Sequence, residues 1–539
     1  MTNITQLEEI VRQSKIGTVV PVYKSRKIEI SPLDYFAKLS DYGRKKNSIL
    51  LESAEVIPKY GEQSVGTSDP CLKLMGRAES FSIKALNETG VRFLQHVKGR
   101  LNFCDELNVS DQEIKGILRP QRKVVSEAER LNLKTHMDII RTVGFAFSPT
   151  LKPVNHYWGL FGIFSYDFID QFEDLPPNRG DLTNDPDYEI FFADNVFVYD
   201  HSAKSLNFIA NALITDENSD ATFKKCLEKI AEFEGVLDAP LPLARKYIPK
   251  KGKISSDTSK ESFIETVEKL KEHIGRGDIF QAVLSRNTIM DYNSEPLDIY
   301  RELRESNPSP YMFFINNETG LLIGASPERC IGVKEENGRR IVEIRPIAGT
   351  KPRGIINGVV NTDLDGRYES ELKLDPKELA EHTMLIDLAR NDVARVSEPG
   401  TRHVVDPYTV EKYSHVQHLV SKVTGVLKRE YDPLHAYLAS MNMGTLTGAP
   451  KLEAMKLLRR YEENRRGFYG GAVFYMTPSK DFDSAIIIRS MRIRGDKAYI
   501  RAGAGVVQDS VPEKEYDETE RKAAACIKAV KGAGGITYD

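Results

Sequence analysis

The chain of 539 residues carries 75 Lys plus Arg against 78 Asp plus Glu, a net charge of -3, with 40% hydrophobic and 28% charged residues. This is an ordinary globular balance, sufficient for about two to four folding units or one large intertwined α/β body. The near-neutral charge gives no field for holding nucleic acid or another polyanion, and no apolar run is long enough to span a bilayer.

Cys71, Cys104, Cys226, Cys330 and Cys526 are scattered, without a CxxC pair or metal spacing. Together with an N-terminus that lacks the apolar core of a signal peptide, they predict a reduced, cytoplasmic setting. Residues Met1–Lys15 read as a short amphipathic helix. Val19–Leu39 alternates apolar and polar before turning helical. Ser48–Val56 reads as a strand, with Glu52 and Ser53 just beyond its apolar run, and Glu79–Leu86 is another strand by alternation. Phe103–Arg141, polar and basic in patches, reads as helices and loops. In His156–Pro176, Gly159 and Gly162 predict a bulge or a close backbone approach, and the lone Trp158 reads as a packing residue. A hairpin turning at Asp200–Lys204 follows, then a helix from about Ala221 to Phe233. Ala239–Ser259, rich in Pro, Lys and Ser, is the linker. It divides the chain into an N-terminal region 1–240, a linker 241–258, a region 259–531 where the chemistry concentrates, and a tail 532–539.

In the third part, Thr258 and Glu261 stand at capping-box spacing before a helix ended by Gly275 and Gly277. Ile279–Arg286 is a strand with Gln281 and Ser285 on one face. Asn307–Asn317 enters a strand through two prolines. Glu328 follows Ser326-Pro327 at a strand end, a place that often supplies catalytic groups. Arg339–Gly354 is a strand breaking at Ala348-Gly349-Thr350, where Arg345, Lys351 and Arg353 suit a small carboxylate.

The segment from Asp375 to Asp392 reads as a largely buried helix, N-capped by Asp375 with Pro376 in its first turn and Glu378 at capping-box spacing. Glu381 falls inside its apolar arc, so it is protonated, paired or metal-bound. His418 sits opposite His415 on a strand, either structural or a general acid or base. The glycine loop before Pro450 opens a helix whose N–H groups suit an anion. Tyr469 and Arg489 fall on the strands of a hairpin, and Gly503-Ala504-Gly505 interrupts a later strand. Ser510 and Glu513 cap the last helix, where Glu518 lies on a stripe of alanines. Two helix-borne carboxylates, Glu381 and Glu518, suit Mg²⁺, which keeps much of its hydration shell.

The segments GDIFQAVLSR, RPIAGTKPRG, ELAEHTMLIDLARND, YSHVQHLVS, MNMGTLTGAPK, RRGFYGGAV, IIIRS and AGAGVVQDSVPEKEYDET, in this order over most of Gly277–Ala529, resemble the chorismate-utilising enzymes. The branch they resemble makes anthranilate. The resemblance implies an α+β fold of two large, mostly antiparallel sheets packed as a sandwich with helices outside. It implies conversion of chorismate and ammonia to anthranilate and pyruvate with Mg²⁺, the first committed step of tryptophan synthesis. Glu381 and Glu518 would hold the ion, Glu328 would protonate the departing hydroxyl, and His418 would serve the elimination of pyruvate. Gly349, Thr350, Tyr469, Arg489, Gly503, Ala504 and Gly505 would hold the substrate, with Arg489 on the enolpyruvyl carboxylate.

Relatives that add water carry a lysine where this chain has Gln281, and relatives with a lysine nucleophile carry it at the position of Ala348. LLESA, with Ser53, and NPSPYM, with Pro310, Tyr311 and Met312, resemble the family's tryptophan-feedback site. No cysteine has the setting of a glutamine amidotransferase nucleophile, so glutamine-dependent activity implies a separate glutamine amidotransferase subunit. The rivals are an aminodeoxychorismate synthase component, which stops before elimination, and a non-catalytic tryptophan-binding regulatory protein.

Overall fold

The structure, a computed structural model, describes residues 4–53, 63–121, 127–151, 158–413 and 416–538. His415 and the end of the Ser48–Val56 segment lie outside them. Among the described residues the fold is α+β, with two 13-stranded sheets. Neighbouring strands of the first sheet, in order, include Gln281–Asp291, Lys497–Val506, Ser490–Arg494, Gly320–Ser326, Tyr311–Asn317, Ser48–Glu52 and Gln63–Thr67. The second includes Ile347–Pro352, Val416–Val426, Arg339–Ile344, Arg329–Glu336, Phe482–Ile486, Ala472–Met476 and Leu160–Phe164 in order. Both draw strands from either side of the 241–258 stretch. Within it, Lys250–Gly252 pairs with Ile536–Tyr538 and Ile254–Ser256 with the Gln281 strand.

Strand alternation builds the layers. On Ser48–Glu52 and Tyr311–Asn317, Ile49, Phe313 and Ile315 point into an apolar layer shared with Phe161, Ile163 and Val473 of the second sheet. Their neighbours Leu50 and Phe314 point the other way, into a core covered by outer helices. Burying one such phenylalanine contributes roughly 1.5–3 kcal/mol, and the period of two directs it to the correct layer. Two long helices complete the covering on opposite sides. Pro376–Val396 buries Ile386, Ala389, Val393 and Val396 against the second sheet, and Pro512–Gly532 buries Ala523, Cys526, Ala529 and Val530 against the first. No helix among the described residues is long and apolar enough to cross a membrane.

Several local expectations differ from the fold. Phe103–Arg141 contains a hairpin, Glu106–Val109 with Glu113–Ile117, at the sheet edge. All four residues of its outer strand are exposed, so no alternating pattern marks it. The helix after the linker is capped by Ser259, which accepts from the Ser262 N–H, rather than by Thr258. The last helix starts after Val511 without a side-chain cap, while Ser510 accepts from the Val507 N–H. Gly503 and Gly505 lie within an unbroken strand, Lys497–Val506. At Gly162 the expected close approach is present, since a Cβ there would lie 2.7 Å from the Ile190 side chain.

Candidate active site

A cavity of about 610 Å³ is lined by residues of both sheets and of the helices Pro376–Val396 and Pro512–Gly532. Glu328, Gly349, Thr350, Glu381, His418, Tyr469, Arg489, Gly503, Gly505 and Glu518 all line it. Ala504 is not on its wall and is fully buried in the sheet. Ser53, Pro310, Tyr311 and Met312 lie elsewhere, where Met312 pairs with Glu52 and Tyr311 with Ser326.

Glu328 sits in the turn between Gly320–Ser326 and Arg329–Glu336. Its N–H donates to the Ser326 hydroxyl at 3.3 Å, and its carbonyl accepts from Ile486 at 3.0 Å. The residue is 7% exposed. Burial pushes its carboxyl up to about 8, against weaker downward pulls from Thr445 and Lys522. It is therefore protonated at neutral pH, as a proton donor must be.

His418 faces it from the second sheet. Its Nδ1 lies 2.9 Å from the Gly349 carbonyl and 3.0 Å from the Thr350 hydroxyl. A carbonyl only accepts, so Nδ1 carries the hydrogen and Nε2 keeps a lone pair. Burial lowers the pKa of this imidazole and keeps it neutral. The Gly349 carbonyl is available because Ile347–Pro352 bulges between Ala348 and Thr350 instead of ending there. Gly349 has φ +70°, and a Cβ would lie 2.8 Å from Leu372 and 2.9 Å from the Glu378 carboxylate. Gly349→Ala is expected to lower unfolding free energy by about 1–3 kcal/mol. Thermal melts measure this, and an unchanged melting temperature would contradict the strained geometry.

The helix bearing Glu381 starts as its sequence dictates, with Asp375 accepting from the N–H groups of Lys377 and Glu378. Glu378 does not close a capping box. Its side chain lines the cavity, and one face of the helix is wet, with Leu379, Met384 and Leu388 only half-buried. Burial raises the Glu381 pKa, Lys377 and Lys522 lower it, and the Glu518 charge raises it again. The two carboxylates, from helices on opposite faces of the sandwich, therefore feel one another across the cavity. Glu518 is half-exposed and bound to Lys522 at 2.6 Å, and the same ammonium donates to the Gly503 carbonyl at 2.9 Å.

Among the described residues no three acidic, His or Cys side chains form a ready-made metal site. Two carboxylates with a cation already bridging one of them still fit a divalent ion that completes its shell with water and ligand oxygens. Glu378, read from the sequence only as a capping residue, and Glu515, not singled out there, also line the cavity. Each stands three residues before a singled-out glutamate, a spacing that places them on one helical face.

Arg489 is a cation on the cavity wall that an anionic ligand can reach. It lies between strands rather than on one, at φ +50°, where the chain crosses from the second sheet to the first. Such backbone strain in a non-glycine residue concentrates at functional sites. Among the described residues it has no carboxylate partner within salt-bridge distance. Tyr469 likewise precedes its strand, and its hydroxyl packs 3.1 Å from where a Gly503 Cβ would be.

The basic turn read from Arg345, Lys351 and Arg353 is different. These pair with Glu411, Glu371 and Asp365. At the helix start after Pro450, the Lys451 ammonium is turned to Asp392 and the Ser440 carbonyl. Gln281 is buried on the cavity wall, where its amide favours the charged form of Glu381 and its Oε1 has no hydrogen-bond partner among the described residues. Having no titratable proton near neutrality, it cannot act as a base on water.

The chorismate binding enzyme model matches residues 107–528 of this chain. Anthranilate synthase component 1 of Vibrio parahaemolyticus serotype O3:K6 is 41% identical over 499 residues, covering 91% of this chain and 89% of the relative. The corresponding protein of Escherichia coli (strain K12) is 39% identical over 493 residues, 91% and 93% of the two chains. The crystal structure of anthranilate synthase component I from Streptococcus pneumoniae TIGR4 superposes with a TM-score of 0.67 at 29% identity, covering 88% of this chain and 93% of that one. With these likenesses spanning both sheets and every wall of the cavity, the chain belongs to the chorismate binding enzyme family, among its anthranilate synthase component 1 members.

Proposed function

We propose that this enzyme aminates chorismate at C2 with ammonia and then eliminates pyruvate to give anthranilate. The observation that carries the reading is the pairing of a buried, protonated Glu328 with a neutral His418 whose Nε2 is unprotonated, in one cavity. The two steps need these two states. In the first, ammonia adds as the ring hydroxyl leaves, and Glu328 gives that oxygen a proton so that water departs instead of hydroxide. In the second, His418 Nε2 removes the C2 hydrogen, the bond to the enolpyruvyl oxygen breaks, and the ring becomes aromatic. The released enol takes a proton at carbon to become pyruvate.

Arg489 pairs with the enolpyruvyl carboxylate, and the Tyr469 hydroxyl and the small residues Gly503 and Gly505 leave room for the ring. Glu381 and Glu518 would hold Mg²⁺, which supplies charge neutralisation for the ring carboxylate when bound. Incubating the purified chain with chorismate, ammonium and Mg²⁺ is expected to give the fluorescence of anthranilate. A non-fluorescent aminated product would favour an aminodeoxychorismate synthase, and unchanged chorismate would overturn the proposal.

Removing the base separates the steps. His418→Ala will slow anthranilate release by about 10²–10⁴-fold while amination continues. Mass spectrometry is expected to find the aminated intermediate accumulating, and its absence would take His418 out of the second step.

The relatives are a numbered component, which supports a partner. None of the five cysteines is placed as an amidotransferase nucleophile, and four of them are buried. Glutamine is therefore expected to sustain turnover only when a glutamine amidotransferase subunit supplies ammonia. Free thiols throughout support a cytoplasmic setting.

Feedback by tryptophan is supported by the paired strands that bear Glu52–Ser53 and Tyr311–Met312. One oxygen of the buried Glu52 and the Ser53 hydroxyl have no partners among the described residues, which suits the ammonium of an amino acid. The other Glu52 oxygen accepts from the Tyr300 hydroxyl at 2.7 Å.

A further inference from the structure

The turn that carries Glu328 is tied to the Tyr311 strand twice. Across the sheet, Tyr311 pairs with Ser326, whose hydroxyl accepts from the Glu328 N–H. Beyond the turn, the Nε–H of Arg329 is shared between the Tyr311 hydroxyl at 3.0 Å and Asp483 at 2.8 Å. Its Nη1 donates to Glu343 at 2.8 Å. The guanidinium therefore fastens the residue next to Glu328 to three different strands. The strand makes room for it, since its register slips between Arg329 and Gly332, and a Cβ on Gly332 would stand 3.3 Å from the guanidinium carbon.

The same guanidinium reaches toward the second reacting group. Glu343 also binds Lys422 at 2.6 Å, and Arg345, 3.9 Å from Glu343, binds Glu411 at 2.7 Å. Glu411 is the cross-strand neighbour of His418. Of the groups on this chain, only Glu328 and His418 line the cavity; the others lie behind its wall.

We propose that Arg329 is a positioning residue: it holds the Glu328 carboxyl in its working pose and transmits displacements of the Tyr311 segment to it. A planar guanidinium with three acceptors has one comfortable arrangement, so a shift of the Tyr311 hydroxyl must move the fork or break a bond. Either moves the backbone one residue from Glu328. An ångström of misplacement at a proton donor is worth up to about a hundredfold in rate. This inference rests on the readings of Glu328 as the acid and of the Ser53/Tyr311 region as the tryptophan site.

The test compares the unaltered enzyme with Arg329→Met, Arg329→Lys and Glu343→Gln. It measures ammonia-dependent kcat and KM against pH, inhibition by tryptophan, and retention of labelled tryptophan in equilibrium dialysis. For Arg329→Met, kcat is expected to fall roughly 10- to 100-fold with KM nearly constant. The alkaline limb of its pH profile moves, which a purely structural role would not cause. Arg329→Lys, which keeps one ion pair but loses the fork, recovers part of the rate. Labelled tryptophan still binds but inhibits at least about tenfold more weakly.

Should Arg329→Met not fold, Glu343→Gln is expected to show the same pattern in weaker form. Parent-like kcat, pH profile and inhibition in the folded variants overturn the proposal. If the unaltered enzyme retains no tryptophan, the feedback reading fails and takes the transmission claim with it. If it retains tryptophan and the variants are inhibited as strongly as the parent, transmission alone fails.

Discussion

Glu328→Gln will lower kcat by about 10²–10⁴-fold while leaving the fold intact. The amide fits the same space and donates a hydrogen bond, but it cannot surrender a proton to a departing oxygen. The pH dependence makes the prediction sharper. Burial holds the native carboxyl protonated up to about pH 8. The parent's kcat therefore declines as pH rises through about 8, and the residual rate of the variant does not.

Stability moves in the opposite sense. The native carboxyl keeps its proton where the unfolded chain, at the ordinary value of 4.5, has lost it. This protonation favours the native state fully below the unfolded value, and the advantage is lost as pH rises from there through about 8. Glutamine has no such loss, so Glu328→Gln will melt higher than the parent at pH 9, with the gap narrowing at pH 6. A variant that turns over normally, or that melts lower at pH 9, would remove Glu328 from the role of acid.

What was legible in the sequence follows from which physical signals are local. Asp375-Pro376 announces a helix start by its own chemistry, and the helix begins there. The hairpin around Asp200–Lys204 announces itself by alternation and a polar turn. Glu381 was legible because a carboxylate inside an apolar arc demands a partner, and Glu328 because it follows Ser-Pro at a strand end.

Signals that depend on distant partners were not legible. Nothing local distinguishes Arg345, quenched by Glu411, from Arg489, which has no such partner among the described residues; the difference lies in strands that meet only after folding. The outer strand of the edge hairpin, Glu106–Val109, is exposed at every residue, so no alternating pattern marks it. Lys522 was passed over because a lysine on an exposed helix is ordinary until its neighbours, Glu518 and the Gly503 carbonyl, are known. Motif resemblance filled these gaps for Arg489 and Tyr469 because it carries information about the folded partners. Ala504, between two cavity-lining glycines, is itself buried in the sheet, so any contact it makes with a ligand would be through its backbone.

The second large effect concerns the two carboxylates. Glu381→Gln and Glu518→Gln will each weaken Mg²⁺ binding by at least about a hundredfold, or about 2.7 kcal/mol, and ammonia-dependent turnover will fall with it. The argument is electrostatic. Burial raises the proton affinity of Glu381, and the Glu518 charge raises it further. A divalent ion relieves both at once, and with one carboxylate gone it must be held by water and a single acid.

The two variants will differ without metal. Glu381→Gln removes a buried acid and will melt at or above the parent, whereas Glu518→Gln strands Lys522 and will melt slightly below it. Because the Glu381 pKa is raised, metal must displace its proton, so affinity in the parent climbs with pH through that raised value. Calorimetric Mg²⁺ titration with benzoate present, to supply a ring carboxylate, measures all of this, and the Mg²⁺-induced rise in melting temperature provides a check independent of activity. Parent-like Mg²⁺ affinity in either variant would place the ion elsewhere, and the cavity would then be a substrate pocket whose acids are held by Lys377 and Lys522 alone.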